Sequence, residues 1–172
     1  MVEKMPFILN FGGNKLDKIH IETAKRTDAG VILALIRELA VYENMSHLVE
    51  ATVEMIEENV FDKSGAQVLL AKEDGEPVGF ALFFENFSTF KGKCGVYLED
   101  LYVKKEKRGK GYGKALFSAV MHEAKIRGAG RMEWACLDWN KPSIDFYLSM
   151  GAQPLTDWTL YRLDETALDG VR

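Results

Sequence analysis

Apolar positions along the chain change period several times, and each change marks an element. Ile19, Ile21 and Thr23 alternate with His20 and Glu22, the two-residue period of a strand buried on one face. From Thr27 or Asp28 the period lengthens, and Val31, Ile32, Leu35, Ile36 and Leu39 line one face of a helix running to Tyr42 and ending at Glu43-Asn44. Val53, Ile56 and Val60 predict a second helix over 52–61, and Gly65 separates it from a strand over 67–72. Glu73-Asp74-Gly75-Glu76 reads as a hairpin turn. Pro77 then opens a strand over 78–84 that is apolar on both faces and therefore central. A return loop over 87–93 leads to a strand over 95–103. Tyr112, Ala115, Leu116, Ala119, Val120 and Ala124 share one side of a long helix that starts at Gly111 and stops at Arg127-Gly128. A strand over 131–137 and a helix opened by Asn140-Lys141-Pro142-Ser143 and closed at Gly151 follow, and a last strand over 159–163 completes the pattern.

The order βααββ(β)αβαβ runs without repeat or linker and predicts one α/β domain over 19–172, a mixed central sheet with helices on both faces. Residues 1–18 carry Gly12-Gly13 and no clean period, and read as an N-terminal extension with Phe7-Ile8-Leu9 as a candidate short strand. With 172 residues, 47% of them apolar and 28% charged, the composition is that of an ordinary soluble globular protein. The net charge of −4 argues against nucleic acid as a partner and is compatible with a cationic one. The apolar run at 6–9 is too short for a signal peptide and no run approaches a membrane span, so a cytoplasmic protein without a membrane partner is expected. Cys94 and Cys136 form no CxxC, and His20, His47 and His122 show no ligand spacing, so no metal is expected.

The stretch Glu99–Gly113 changes this picture most. An apolar strand (Tyr97, Leu98, Leu101, Tyr102, Val103) runs through four charged residues into Arg108-Gly109-Lys110-Gly111-Tyr112-Gly113 and then directly into the long helix. The first helical turn has unpaired backbone N–H groups, the helix dipole adds positive potential, and glycines let the backbone approach closely, which together suit a pyrophosphate. Arg108 and Lys110 add mobile positive charge. The spacing excludes the two common nucleotide loops. A P-loop would need Gly at 108 and Ser or Thr at 115, and a dinucleotide fingerprint would need its third glycine at Lys114.

Arg-x-x-Gly-x-Gly after a strand resembles the coenzyme A loop of the GCN5-related N-acetyltransferases. ELAVYENM (38–45), YLEDLYV (97–103), RGKGYG (108–113) and WNKPSIDFY (139–147) are similar, in that order, to blocks of the spermidine/spermine (diamine) N-acetyltransferase branch. The resemblance covers about residues 19–163 and implies that family's fold, with acetyl-CoA as co-substrate, a small amine as acceptor and a homodimer. It also implies roles. The backbone of Leu101, Tyr102 and Val103 would pair with the pantetheine arm, and Arg108, Gly109, Lys110, Gly111, Tyr112, Gly113 and Lys114 would hold the pyrophosphate. Asn140 and Ser143 would add coenzyme contacts, helix capping being their alternative. Tyr147 matches the tyrosine that gives a proton to the leaving sulfur, which a phenol with a pKa of about 10 can do at neutral pH; core packing is its alternative. Glu99 matches the group that takes the amine proton through water, with an ion pair as its alternative, and alternation puts Glu99 and Leu101 on one face, Asp100 and Tyr102 on the other. Tyr42, Glu43, Glu99, Asp100, Glu133 and Trp158 align with the amine site of the branch, where a tryptophan face can hold an ammonium.

The return loop departs from the branch. Ser88-Thr89-Phe90 stands where polyamine enzymes carry an acidic residue and a tryptophan, which weakens the grip on a long polycation and favours diamines or a lysine-like amino acid such as thialysine. A protein or peptide N-acetyltransferase and a non-catalytic acyl-CoA-binding module are the alternatives.

Overall fold

A computed structural model describes residues 19–170, and the expectations placed on residues 1–18 lie outside them. The chain divides after Ala135 into two compact units. The first begins with strand β1 (His20–Thr23) and helix α1 (Ala29–Tyr42). Helix α2 (Val53–Ile56) starts where Thr52 Oγ1 accepts from the Met55 N–H, and continues as a wider π turn over Glu57–Asp62. Strands β2 (Gln67–Glu73), β3 (Glu76–Ser88) and β4 (Lys93–Val103) follow. Helix α3 (Tyr112–Ile126) and the short strand β5 (Met132–Glu133) complete this unit.

The strands form one sheet in the order β1-β2-β3-β4-β5, antiparallel throughout except for the parallel β4–β5 pair. Between β2 and β3 the two-residue turn places Asp74 at φ 52° and Gly75 at φ 88°, the left-handed pair that matches the twist of a tight hairpin. Paired residues share a face, so Val68, Leu70, Phe80, Leu82 and Tyr102 stand together and pack against Ile32 and Leu35 of α1 and Ile56 of α2. Leu69, Ala71, Ala81 and Phe83 take the other face, which α3 covers with Ala115, Leu116, Ala119 and Val120. The mixed α/β sheet with helices on both faces is as the sequence predicts.

Strand β3 outruns its expected end at 84, because Glu85 to Ser88 pair with Val96 to Lys93 and the return loop shrinks to residues 89–92. Backbone pairing continues the hairpin past the point where the apolar pattern fades. Strand β5 is shorter than its expected span of 131–137. Its pairing stops at Tyr97↔Glu133, immediately before a bulge in β4 that turns the edge away.

The second unit holds helix α4 (Lys141–Ser149) and helix α5 (Glu165–Asp169). The expected strand over 159–163 is not formed. Leu160, Tyr161 and Leu163 are exposed, and among the described residues no strand pairs with them, so the alternation has no ladder to join. Instead Asp164 caps α5, its Oδ1 accepting from the Ala167 N–H at 2.9 Å, an element the sequence pattern did not predict.

Gly79 permits a close backbone approach between β3 and β4. A Cβ there would lie 2.5 Å from the Tyr102 carbonyl oxygen and 3.2 Å from Val103 Cα. Gly79→Ala is therefore expected to cost about 1–3 kcal/mol by forcing β3 and β4 apart. A urea titration checks this, with a lowered midpoint and an unchanged slope as the expected result.

Candidate active site

The loop after β4 is built by local chemistry. Lys105–Lys107 form a single 3-10 turn, and Arg108 leaves it extended, its Nε donating to the Val103 carbonyl at 3.0 Å. Gly109 (φ 74°) and Gly111 (φ 97°) both occupy the left-handed region, so the reversal into α3 requires glycine at these positions. Gly113 is different. Its φ is ordinary, and a Cβ there would meet only Val103 Cγ2 at 3.9 Å, so the fold itself does not demand glycine. A glycine that the protein does not need, in the first turn of a 15-residue helix, leaves a cradle for a ligand's close approach. The residues fit the diphosphate of a coenzyme.

Basic side chains around this loop are held by specific partners. The Arg108 guanidinium lies 4.3 Å from the Tyr42 ring centroid and 5.6 Å from that of Tyr102, so the loop leans on the end of α1. Tyr102 is buried, and its hydroxyl donates to Glu38 Oε2 at 3.2 Å; burial and the Glu38 charge raise its pKa. Lys107, Lys110 and the Tyr112 hydroxyl all turn to Glu73. Lys114 is exposed on the first turn of α3.

Strand β4 carries a bulge where the acidic pair sits. Leu82 pairs with Asp100 and Phe83 with Leu98, which leaves Glu99 as the extra residue. Without it, Leu98 and Asp100 would share a face. With it, Leu98 joins Phe83 in the core on one side, while Asp100 joins Leu82 and Tyr102 on the α1 side. Asp100 and Tyr102 do stand opposite Leu101, as alternation predicts, but Glu99 belongs to the bulge and is exposed. The Asp100 carboxyl is pushed up from 3.8 to about 7, chiefly by burial, then by the charges of Glu99 and Glu43. Burial also raises Glu43, which follows the last residue of α1. The fold thus gathers Glu43, Glu99 and Asp100 into one carboxylate cluster, while β5 pairs with β4 only at Val96 and Tyr97, and among the described residues no strand neighbours the edge from Leu98 to Val103.

Glu133 stands apart from this cluster's chemistry. Its Oε2 lies 2.8 Å from Arg131 Nε and accepts from Asn86 Nδ2 at 3.2 Å, so it is committed to a structural ion pair. Ser88, the last residue of β3, is buried and accepts from Arg131 at 3.1 Å, while Phe90 in the return loop is 97% exposed.

In the second unit, Asn140 is buried and caps α4, its Oδ1 accepting from the Ser143 N–H at 3.4 Å. Pro142 lies in the first turn, where its missing N–H costs nothing. Tyr147 is half-buried on α4 with its ring 5.3 Å from Phe146, and Trp158 is 75% exposed on the segment before α5.

The geometry is matched by kinship. Residues 32–152 match the acetyltransferase (GNAT) family. The chain belongs to that family. It is 38% identical over 162 residues to the thialysine N-epsilon-acetyltransferase of Bos taurus, covering 87% of this chain and 95% of the relative. It is 31% identical over 197 residues to the L-ornithine N5-acetyltransferase NATA1 of Arabidopsis thaliana, covering 88% and 86% respectively. An integron cassette protein from the mobile metagenome of V. cholerae superposes with a TM-score of 0.74 at 25% identity, over 88% of this chain and 96% of that one. The enzyme class is therefore amine N-acetyl transfer, as the four sequence blocks imply.

Sequence reasoning missed Glu73, Glu38 and Asn86. Each reads as a surface polar residue in its own segment, and only the fold brings it to a partner 34 to 64 residues away. The bulge had a visible signal, two adjacent acids interrupting an apolar strand.

Asp100 makes stability depend on pH. Its folded pKa lies above its ordinary value, so the native state holds a proton that the unfolded chain has released between about pH 4 and 7. The associated stability is complete below about pH 4 and lost as pH rises through 7. Asp100→Asn should therefore match the parent near pH 4 and exceed it by about 1–3 kcal/mol above pH 7, because an ionised carboxylate no longer sits among two others in a poorly hydrated site. Denaturation curves at the two pH values check the sign.

Proposed function

We propose that this enzyme transfers the acetyl group of acetyl-CoA to a primary amine of a short cationic acceptor, a diamino acid of the lysine, thialysine or ornithine type or a small diamine. The carboxylate cluster carries the reading. Asp100, raised to about 7 chiefly by burial and further by the charges of Glu99 and Glu43, belongs to a site that gains from an arriving cation. The amine acceptors named for the two relatives are both diamino acids. Ser88 is engaged with Arg131, and Glu133 with Arg131 and Asn86, so neither offers a free group to a long polycation.

In this reading Gly109, Gly111, Gly113 and the first N–H groups of α3 hold the pyrophosphate, and Lys110 and Lys114 supply mobile charge beside it. The pantetheine arm runs along the open edge of β4 at Leu101 to Val103. Acetyl-CoA supplies the activated acyl group. Glu99, exposed at the bulge, takes the proton of the ammonium through water, and a backbone N–H of β4 polarises the thioester carbonyl. The amine nitrogen bonds to the carbonyl carbon, the carbon–sulfur bond breaks, and Tyr147 gives its phenol proton to the departing thiolate. Tyr42, Glu43 and Asp100 hold the second cationic group of the acceptor, Trp158 offers an aromatic face for an ammonium, and Asn140 and Ser143 add coenzyme contacts. In the same reading residues 19–172 make up one N-acetyltransferase domain, with residues 1–18 as an extension. A homodimer belongs to the same proposal, supported by the exposed apolar run Leu155, Trp158, Leu160, Tyr161 and Leu163. A cytoplasmic setting is supported by the sparse, scattered cysteines.

Thiol release from acetyl-CoA against thialysine, lysine, ornithine, diaminopropane, putrescine, spermidine, spermine and a short peptide tests the acceptor class. A response confined to diamino acids and diamines is expected; a peptide as best substrate, or coenzyme binding without turnover on any amine, would sink the proposal. Tyr147→Phe should lower kcat about 10²-fold or more with coenzyme affinity unchanged, the signature of a lost general acid. Calorimetry of acceptor binding near pH 6.5 should register proton release, because a cation beside Asp100 draws its pKa back down.

A further inference from the structure

Glu73 ends β2 immediately before the hairpin turn, and in sequence nothing distinguishes it from Asp74 or Glu76. In the fold its carboxylate collects three donors from the coenzyme loop. Lys107 Nζ donates to Oε2, the Tyr112 hydroxyl donates to Oε1 at 2.7 Å, and Lys110 Nζ lies 3.5 Å from Oε1. Lys107 precedes the Arg108–Gly111 turn and Tyr112 follows it, so one carboxylate fastens both ends of the turn to the β2–β3 hairpin. The Tyr112 ring is buried, which locks its hydroxyl in this direction. The lysine and the phenol hold the Glu73 carboxyl down to about 2, so the anchor stays charged at any working pH.

We propose that Glu73 is a positioning residue for coenzyme binding, holding the loop in the conformation that receives the diphosphate before the coenzyme arrives. This rests on the assignment of the loop made under Proposed function. The two physical effects of the carboxylate have opposite signs, which makes the proposal decidable. As an anchor, it removes the cost of ordering the loop from the binding step. As a bare negative charge, it would repel an anionic ligand, and its removal would tighten binding. Lys110 is exposed and held at the longest distance of the three, so it is the donor free to turn toward a phosphate without releasing the anchor.

The test compares the full chain with Glu73→Ala, Glu73→Gln and Gly113→Val, measuring coenzyme A Kd by calorimetry and the kcat and KM for acetyl-CoA with the best acceptor. Glu73→Ala should raise Kd and KM about tenfold, while saturating coenzyme restores kcat to within about twofold, the split expected of lost preorganisation. Glu73→Gln keeps an acceptor for Lys107 and Tyr112 and should recover to within about threefold of the parent. Faster hydrogen exchange at the amides of 109–113 in ligand-free Glu73→Ala is the accompanying signature. Unchanged or tighter coenzyme binding by Glu73→Ala, with Gly113→Val unable to bind, overturns the positioning role and leaves the loop assignment standing. Normal binding by Gly113→Val overturns the loop assignment and this inference with it. Should Glu73→Ala fail to fold, Tyr112→Phe removes one donor alone; a KM raised about threefold at constant kcat supports the anchor, and an unchanged KM refutes it.

Discussion

One inserted residue sets the shape of the site. Glu99 has no partner across the β3–β4 pair, and the chain must bulge to accommodate it. The bulge switches the faces on which Leu98 and Asp100 stand, ends the parallel pairing of β5 after Glu133, and leaves the last turn of β4 open on one side. A regular strand would have buried both acids' neighbours alike and continued the sheet. The cost of burying Asp100 beside two other acids is thus the cost of a strand edge that can receive a ligand.

The same strand separates two kinds of charge along its length. Its middle holds the acids, and beyond its end stand Lys104, Lys105, Lys107, Arg108 and Lys110. A molecule with an anionic end and a cationic target, such as a coenzyme reaching toward an ammonium, finds a complementary potential at each position. Part of this basic group is held in place. Arg108 spends its planar face on Tyr42 and Lys107 pairs with Glu73, so their share of the field is fixed in space and need not be assembled on binding.

Much of this was legible in the chain. The helical periods of α1 and α3, the Asp74-Gly75 turn, the apolar central strand and the glycine loop all depend on near neighbours, and local sequence reports them well. The failures involve partners. Strand β3 runs on because β4 lies beside it, and β5 stops because of a bulge in another strand. Thr159–Leu163 has the alternation of a strand but no ladder among the described residues. At the site, the types of residue were readable but not their engagements. The sequence does not show that Glu133 pairs with Arg131 and accepts from Asn86, and it reads Glu73 as part of a turn. The Asn140 side chain caps α4, one of the two roles its sequence left open.

Gly113 gives the site a thermodynamic footprint. Glycine inside a helix costs roughly 0.5–1 kcal/mol relative to alanine, and here neither backbone geometry nor crowding calls for it. The enzyme tolerates a weaker first turn of α3 where stability and activity want different residues. Stability screens blind to function would select against this glycine, and so would mark the proposed coenzyme cradle by what they remove.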